Sequence, residues 1–293
     1  MPEGPRPRSD RVKQEEAERV AKGETALALP PGERSAAIAE LVAEESKAFL
    51  ERRLQKIRRL KLTDLNLNFF LLRLVKDIHE LTTPRAVIDY LTDATLRAGE
   101  ETAYGWLVDL FLPPLLGAKT PPEREHPVQW QAFKEIDKEA TRPNPATGQV
   151  RRHLISIKGG PLTINDTMAR QMHENVRGFV TYGNDPVVYA VTYGRKEQLS
   201  NKPSIVKGDY SDDDVAILVG REFWDWLGQY QNVHVDIFNG IAEGESRFTE
   251  EHAGKPIYAI LAEKKQELTE AFMEEFRIRP EDDMWERLLT TGF

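Results

Sequence analysis

The sequence has no cysteine among its 293 residues, which excludes disulfide frameworks and thiolate metal sites. No apolar run approaches the roughly 18 residues of a membrane-spanning helix. The opening stretch, MPEGPRPRSDRVKQEE, carries basic side chains but lacks the apolar core of a secretory signal. A soluble, cytoplasmic chain with no membrane partner is therefore expected. The 6 histidines are scattered without H-E-x-x-H spacing. There is also no phosphate-cradling P-loop, no G-x-G-x-x-G fingerprint and no G-x-S-x-G elbow. Positive charge is in deficit, with a net charge of −8, which argues against a polyanionic partner. That argument is weak, because a cleft needs only local positive charge.

What is present suits a soluble globular chain: 40% hydrophobic and 30% charged residues, enough for one large domain or a domain with an appendage. Residues 1–30 are polar and suggest a mobile or loosely ordered arm. From Ser35 to Leu60, apolar residues such as Ile38, Leu41, Val42, Leu54 and Ile57 recur at helical spacing. The end of this helix carries Arg52, Arg53, Lys56, Arg58, Arg59 and Lys61. They read as a solvated face with cations at a helix C-terminus, or as a surface for DNA backbone or a partner. Further helices are expected from Phe69 to Leu81 and from Pro84 toward Leu96, with a break at Arg97-Ala98-Gly99. Another spans EETAYGWLVDLFLPPLLG and stops at Pro113-Pro114. Strands are expected at Val187–Tyr193 and Val215–Val219, followed by a helical tail. The organisation expected is an arm (1–30), a helical region (31–98) and an α/β domain with a helical tail (99–293).

The chain is organised around Phe133 to Glu174, FKEIDKEATRPNPATGQVRRHLISIKGGPLTINDTMARQMHE. This reads as a strand from Phe133, a turn rich in Pro and Asn, a second strand, a Gly-Gly-Pro break and a helix. Side chains alternate along a strand. Glu135, Asp137 and Glu139 thus share one face of the first strand, and Leu154, Ser156 and Lys158 one face of the second. Pairing as a hairpin sets Asp137 beside Ser156 and Lys158. Charged groups at a hydrophobic strand end are costly unless they serve a purpose. Such a group suits metal-dependent phosphodiester hydrolysis. The aspartate holds Mg²⁺, which needs only one or two protein carboxylates, the metal activates water, and the lysine orients that water or stabilises developing charge. The same pair can also be a structural ion pair across a hairpin.

Asp137 on one strand, Ser156-Ile157-Lys158 on the next and then a helix resemble the PD-(D/E)XK nuclease superfamily. The segment SIKGGPLTIND is similar to a SxKxGPxTxN signature in a group of type II restriction endonucleases. VTYGRKEQLSNK and LVGREFWDWLG resemble companion blocks of that group, and the blocks together span roughly Glu100 to Gly228. The resemblance implies an α/β, restriction-endonuclease-like fold, with a mixed central sheet flanked by helices and helical additions at the N- and C-termini. It implies Mg²⁺-dependent cleavage of double-stranded DNA by a prokaryotic homodimer, with a cognate DNA methyltransferase in the same system. It assigns the catalytic acid and lysine to Asp137 and Lys158. The superfamily's second acid, two residues before the lysine, is Ser156 here. The missing carboxylate is expected from Glu101 first, as a metal ligand with Asp137, then from Glu174 on the following helix, then from Glu135.

By the same resemblance, the turn at Gly160, Thr163 and Asn165 and the helix start behind it face DNA, where free N–H groups suit phosphate. Thr163 or Asn165 can equally be a helix cap. Arg170 and Arg177 are phosphate contacts or surface charges. Arg195, Lys196, Asn201, Lys202 and Lys207 form the densest basic loop, with Arg195 or Lys196 able to reach a guanine edge. His153, opposite Lys158, is expected to be packed. Two other readings stand beside the restriction enzyme: a nuclease of the same fold acting in repair or junction resolution, and a non-catalytic DNA-binding protein whose Asp137–Lys158 pair is structural.

Overall fold

The computed structural model describes residues 8–126, 133–183 and 185–292. Among these residues four strands form one mixed sheet: β1 (Lys138–Pro143), β2 (Val150–Lys158), β3 (Val187–Val191) and β4 (Val215–Val219), in that spatial order. β1 and β2 are an antiparallel hairpin with Lys138 opposite Ile155 and Thr141 opposite Arg152. Asn144 shapes its turn, since its side-chain oxygen accepts from Ala146 N at 2.8 Å and its own N–H donates to Gln149 O at 2.8 Å. β3 and β4 continue the sheet in parallel. The helices are α1 (Asp10–Leu27), α2 (Pro31–Arg59), α3 (Phe69–Val75), α4 (Pro84–Trp106), α5 (Leu112–Leu115), α6 (Asp166–Gly183), α7 (Lys202–Lys207), α8 (Arg221–Gly228), α9 (Val233–Glu251), α10 (Ile257–Glu275) and α11 (Met284–Thr291). The mixed sheet flanked by helices is the α/β class that the sequence implied.

The chain folds as two compact units, one of Met1–Glu45 with Tyr104–Glu243 and one of Ser46–Ala103 with Gly244–Phe293. In the first unit, strand residues alternate between two cores. Ile155, Ile157, Val188 and Ala190 pack toward Ile38, Leu115, Phe223 and Ile237. Leu154, Val187, Tyr189 and Val191 pack on Ala169, Met172, Val176 and Phe179 of α6. Because both faces are covered, β3 is a continuous apolar run and all five of its residues are buried.

Residues 10–27, which composition suggests as part of a loose arm, form α1 and are tied to the sheet. Glu16 pairs with Lys138, whose side chain is buried, and accepts from Thr120 Oγ1 at 2.9 Å and Arg8 Nη1 at 3.0 Å. Burial pushes the Glu16 carboxyl up, but Lys138 and Arg8 outweigh it and hold the group below its ordinary value. Gly23 lies against the Leu115 backbone, and a Cβ there would overlap the Leu115 carbonyl. Residues 1–7 of the expected arm lie outside the described residues.

In the second unit, Leu72, Val87 and Ile88 pack with Leu268, Phe272, Phe276 and Leu288. The sequence places 46–98 and 244–293 in different expected regions, yet they share this one core. Helix α4 does not break at Arg97-Ala98-Gly99. Gly99 is instead a site of close approach, where a Cβ would meet the Lys56 ammonium and Arg53, and buried Arg53 donates to Leu96 O at 3.3 Å and Glu100 at 3.1 Å. Pro113 and Pro114 do not stop a helix either. They occupy the first turn of α5, where an N–H is not needed. The expected helical tail contains α10, and a further helix, α11, follows it.

Candidate active site

The hairpin places Asp137. Its N–H donates to Ile155 O at 2.8 Å, and its Oδ2 accepts from Ile157 N at 2.7 Å, which pins the carboxylate to the edge of β2. The other oxygen, Oδ1, lies 3.3 Å from Arg124 Nη1. Burial pushes the Asp137 carboxyl above its ordinary value, against the opposing pull of the Ile157 N–H and of the Arg124 and Lys158 charges. Lys158 ends β2, and its Nζ is 3.6 Å from Glu135 Oε2.

Glu135 reaches Lys158 because the chain before β1 is a turn, not the strand expected from Phe133. The turn is closed by Ile136 N donating to Phe133 O at 3.0 Å. Phe133 is anchored edge-on to Phe179, with ring centroids 4.9 Å apart, and Ile136 is buried. Ser156 is fully buried, and its Oγ has no hydrogen-bond partner among the described residues.

The end of β2 is held by a residue the sequence did not single out. Thr192 N–H donates to Lys158 O at 3.0 Å, and Thr192 Oγ1 donates to Gly159 O at 2.7 Å. Tyr104 OH is 3.3 Å from the same hydroxyl, and Trp224 Nε1 donates to Thr192 O at 2.8 Å. VTYG and REFWDWLG thus support the strand end that carries Lys158. Nothing local in either segment marks which of its residues makes these contacts.

The DNA-facing candidates fall into two neighbouring groups. Gly160 passes under the Tyr193 ring, which a Cβ would overlap. Thr163 Oγ1 donates to Gly160 O at 2.6 Å, and Asn165 caps α6 by accepting from Met168 N at 2.9 Å. The Pro161–Thr163 turn packs on the Lys196–Leu199 turn. Arg195, Lys196 and Asn201 are exposed there, and Lys202 pairs with Asp166 at 3.6 Å. Lys207 pairs with Asp212. Arg170 and Arg177 are exposed on α6.

Of the acids proposed to complete the centre, Glu174 is exposed, on a part of α6 turned away from the buried Met172 and Val176. Glu101 lies in α4, and its side chain lies outside the described residues. Arg124 reaches Asp137, and nothing in the sequence marks it, because a lone arginine in the P-E-R-E turn carries no motif. His153 is fully buried against Trp226, with ring centroids 5.3 Å apart. Burial lowers its pKa to about 4.

A family model described as the type II restriction endonuclease EcoO109I matches residues 36–247. The chain belongs to the EcoO109I family. No curated protein matches it. As an EcoO109I-family member the protein is a site-specific deoxyribonuclease with a restriction-endonuclease-like fold. The family match contains Asp137, Lys158 and all three sequence blocks, and so covers the geometry just described. Among the described residues of this family member, no three His, Asp or Glu side chains are arranged around a common metal position. Glu135 pairs with Lys158 and Asp137 lies within electrostatic reach of the same ammonium; two hard carboxylates of this kind suit Mg²⁺, which completes its shell with water and phosphate oxygens. No helix among the described residues is long and apolar enough to cross a membrane.

Proposed function

We propose that this endonuclease cleaves both strands of a short duplex sequence in a Mg²⁺-dependent reaction centred on Asp137, Glu135 and Lys158. In this reading it is a PD-(D/E)XK enzyme whose second acid has left the position held by Ser156. The observation that carries the reading is the Glu135–Lys158 pair, 3.6 Å apart beside a carboxylate pinned by the Ile157 N–H. Asp137 and Glu135 are the residues that would hold the ion. Once bound, Mg²⁺ supplies Lewis acidity, lowering the pKa of a bound water and neutralising charge on the phosphate. Lys158 directs an ammonium N–H toward the attacking oxygen or the developing charge, and Glu135 keeps that long side chain aimed. Ser156 has only a neutral hydroxyl and shapes the floor of the site.

The Gly160–Asn165 turn and the basic loop at Arg195, Lys196, Asn201 and Lys202 form the DNA-facing side, with Arg170 and Arg177 on α6 as backbone contacts. Exposed cations next to a helix start support this assignment. A homodimer, which meets a symmetric site with one centre per strand, is supported by a row of apolar side chains in the second unit. Phe70, Leu74 and Ile78 are each at least 75% exposed. A methyltransferase protecting the same sequence belongs to this reading.

The test is direct. Purified protein with Mg²⁺ is expected to cut plasmid or phage DNA into discrete fragments, while Asp137→Ala and Lys158→Ala fold but do not cut. Absence of Mg²⁺-dependent cleavage on several substrates contradicts the reading.

A further inference from the structure

Asp137 Oδ1, the carboxylate oxygen not tied to β2, is covered by a guanidinium. Arg124 Nη1 stands 3.3 Å from Oδ1 and 3.4 Å from the Asp137 carbonyl oxygen. The two side chains are 30% and 19% exposed, for Arg124 and Asp137 respectively, so water screens their attraction only in part. Arg124 sits in a short turn, Pro122–Glu125, whose other ionic groups are all engaged. Glu123 accepts from Arg152 Nη2 with both carboxylate oxygens at 2.9 Å. Glu125 takes Arg8 Nε at 2.9 Å and Lys13 Nζ at 2.6 Å. Arg152 is itself held by Glu139 at 2.6 Å and Asp185 at 3.2 Å. With Pro121 and Pro122 fixing the local backbone, the turn is clamped on both sides, and Arg124 alone is directed at the site.

A guanidinium and a divalent cation cannot share one carboxylate oxygen without strong repulsion. We infer that Arg124 is a displaceable counter-ion: it occupies Asp137 when no DNA is bound, leaves Oδ1 when a divalent cation enters, and then takes a phosphate of the DNA. Arginine suits the second role because its planar fork matches phosphate oxygens two at a time. Metal binding and DNA binding are thereby coupled. The ion binds weakly while Arg124 holds the carboxylate and tightly once the DNA backbone draws the guanidinium away. This inference rests on the reading of Asp137 as a metal-holding carboxylate.

Calorimetric titration of Mn²⁺ into the DNA-free, full-length protein separates the possibilities. Arg124→Gln and Arg124→Ala are expected to bind Mn²⁺ about tenfold more tightly than the wild type, the scale of one partly solvated ion pair. Arg124→Lys, which keeps the charge, stays within about twofold of the wild type, and Asp137→Asn loses the site. With saturating Mg²⁺, Arg124→Gln cuts DNA about 10²-fold more slowly, as for loss of one phosphate-stabilising donor. Tighter metal binding with slower cleavage is a combination that a merely structural arginine does not produce. Unchanged or weaker Mn²⁺ binding by both neutral variants, with Asp137→Asn still abolishing it, overturns the counter-ion role alone. Tighter metal binding with unchanged cleavage overturns the transfer to phosphate. If Asp137→Asn binds Mn²⁺ as the wild type does, the metal reading of Asp137 falls as well.

Discussion

Glu135 Oε2 lies 3.6 Å from Lys158 Nζ, joining a turn that precedes the first strand to the last residue of the second. In the proposed centre the residue two before the lysine is Ser156, and the second carboxylate is drawn from another backbone segment. Glu135, two residues before Asp137, approaches from the turn that precedes the hairpin.

Glu135→Gln is therefore expected to slow cleavage by at least about 10²-fold, on the scale of losing one charge-stabilising group at the reacting centre. DNA binding in Ca²⁺ should remain near the wild-type level. Glu174→Gln, on the exposed part of α6, should change the rate by no more than roughly twofold, since it removes a solvated charge. Single-turnover cleavage of a plasmid measures both. A silent Glu135→Gln with an inactive Glu101→Gln would move the second carboxylate to α4.

The Glu16–Lys138 pair makes α1 an integral part of the first unit. Glu16→Ala strands a buried ammonium and is expected to cost about 3–5 kcal/mol. The double replacement Glu16→Leu with Lys138→Met should cost less than Glu16→Ala. The folded Glu16 carboxyl sits below its unfolded value. Glu16's contribution is thus complete above the unfolded value of about 4.3 and is lost as pH falls through the folded one, while burial holds the Lys138 ammonium below its ordinary value. Urea unfolding of the full chain, read by circular dichroism, checks both statements. A stable Glu16→Ala contradicts them.

His153 predicts a second pH effect. Its pKa is lowered to about 4 by burial, whereas in the unfolded chain it is about 6.5. Below the higher value the unfolded chain takes the proton and the native state does not. Stability is complete above about pH 6.5 and falls as pH drops toward 4, by up to about 3 kcal/mol over the whole window. His153→Leu should remove that part of the slope. Unfolding midpoints at about pH 7 and about pH 5 decide it, and an unaltered slope in the variant contradicts it.

The basic loop should divide into two kinds of residue. Arg195→Ala or Lys196→Ala, if either side chain reads a base, relaxes specificity at one position at a cost of about 1–3 kcal/mol. Lys202→Ala should weaken binding evenly across sequences and lower the salt slope by about one. Binding isotherms at several salt concentrations with cognate and altered duplexes separate these roles. Equal effects of all three on every sequence would contradict base readout by this loop.

Much of the sheet is legible because strands carry a local pattern. Alternation puts Ser156 and Lys158 on one strand, the observed β2, apolar runs mark β3 and β4, and Val215–Val219 has the observed limits of β4. The Asn165 cap follows from its chemistry. What escaped depends on contacts between remote parts of the chain. The sequence of α1 is polar because its anchors are ion pairs, so no hydrophobic pattern announces that it is fixed. Gly99 looks like a helix break, yet it is a glycine that makes room for Lys56. Glu135 was placed on a strand face, whereas the turn closed by Ile136 N and Phe133 O carries it to Lys158. Thr192 and Arg124 have no local signature at all, since their roles arise only where β2, β3 and the Pro122–Glu125 turn converge.

In the proposed function Asp137, Glu135 and Lys158 form one Mg²⁺-dependent centre for cutting duplex DNA at a defined sequence. The most direct measurement is digestion of a sequenced plasmid by the wild type and by Asp137→Asn, with Mg²⁺ and with EDTA. The wild type in Mg²⁺ is expected to give discrete fragments with one common sequence at their ends, and DNA is expected to stay intact in EDTA or with Asp137→Asn. Identical fragments from Asp137→Asn, or cleavage that persists in EDTA, would contradict it.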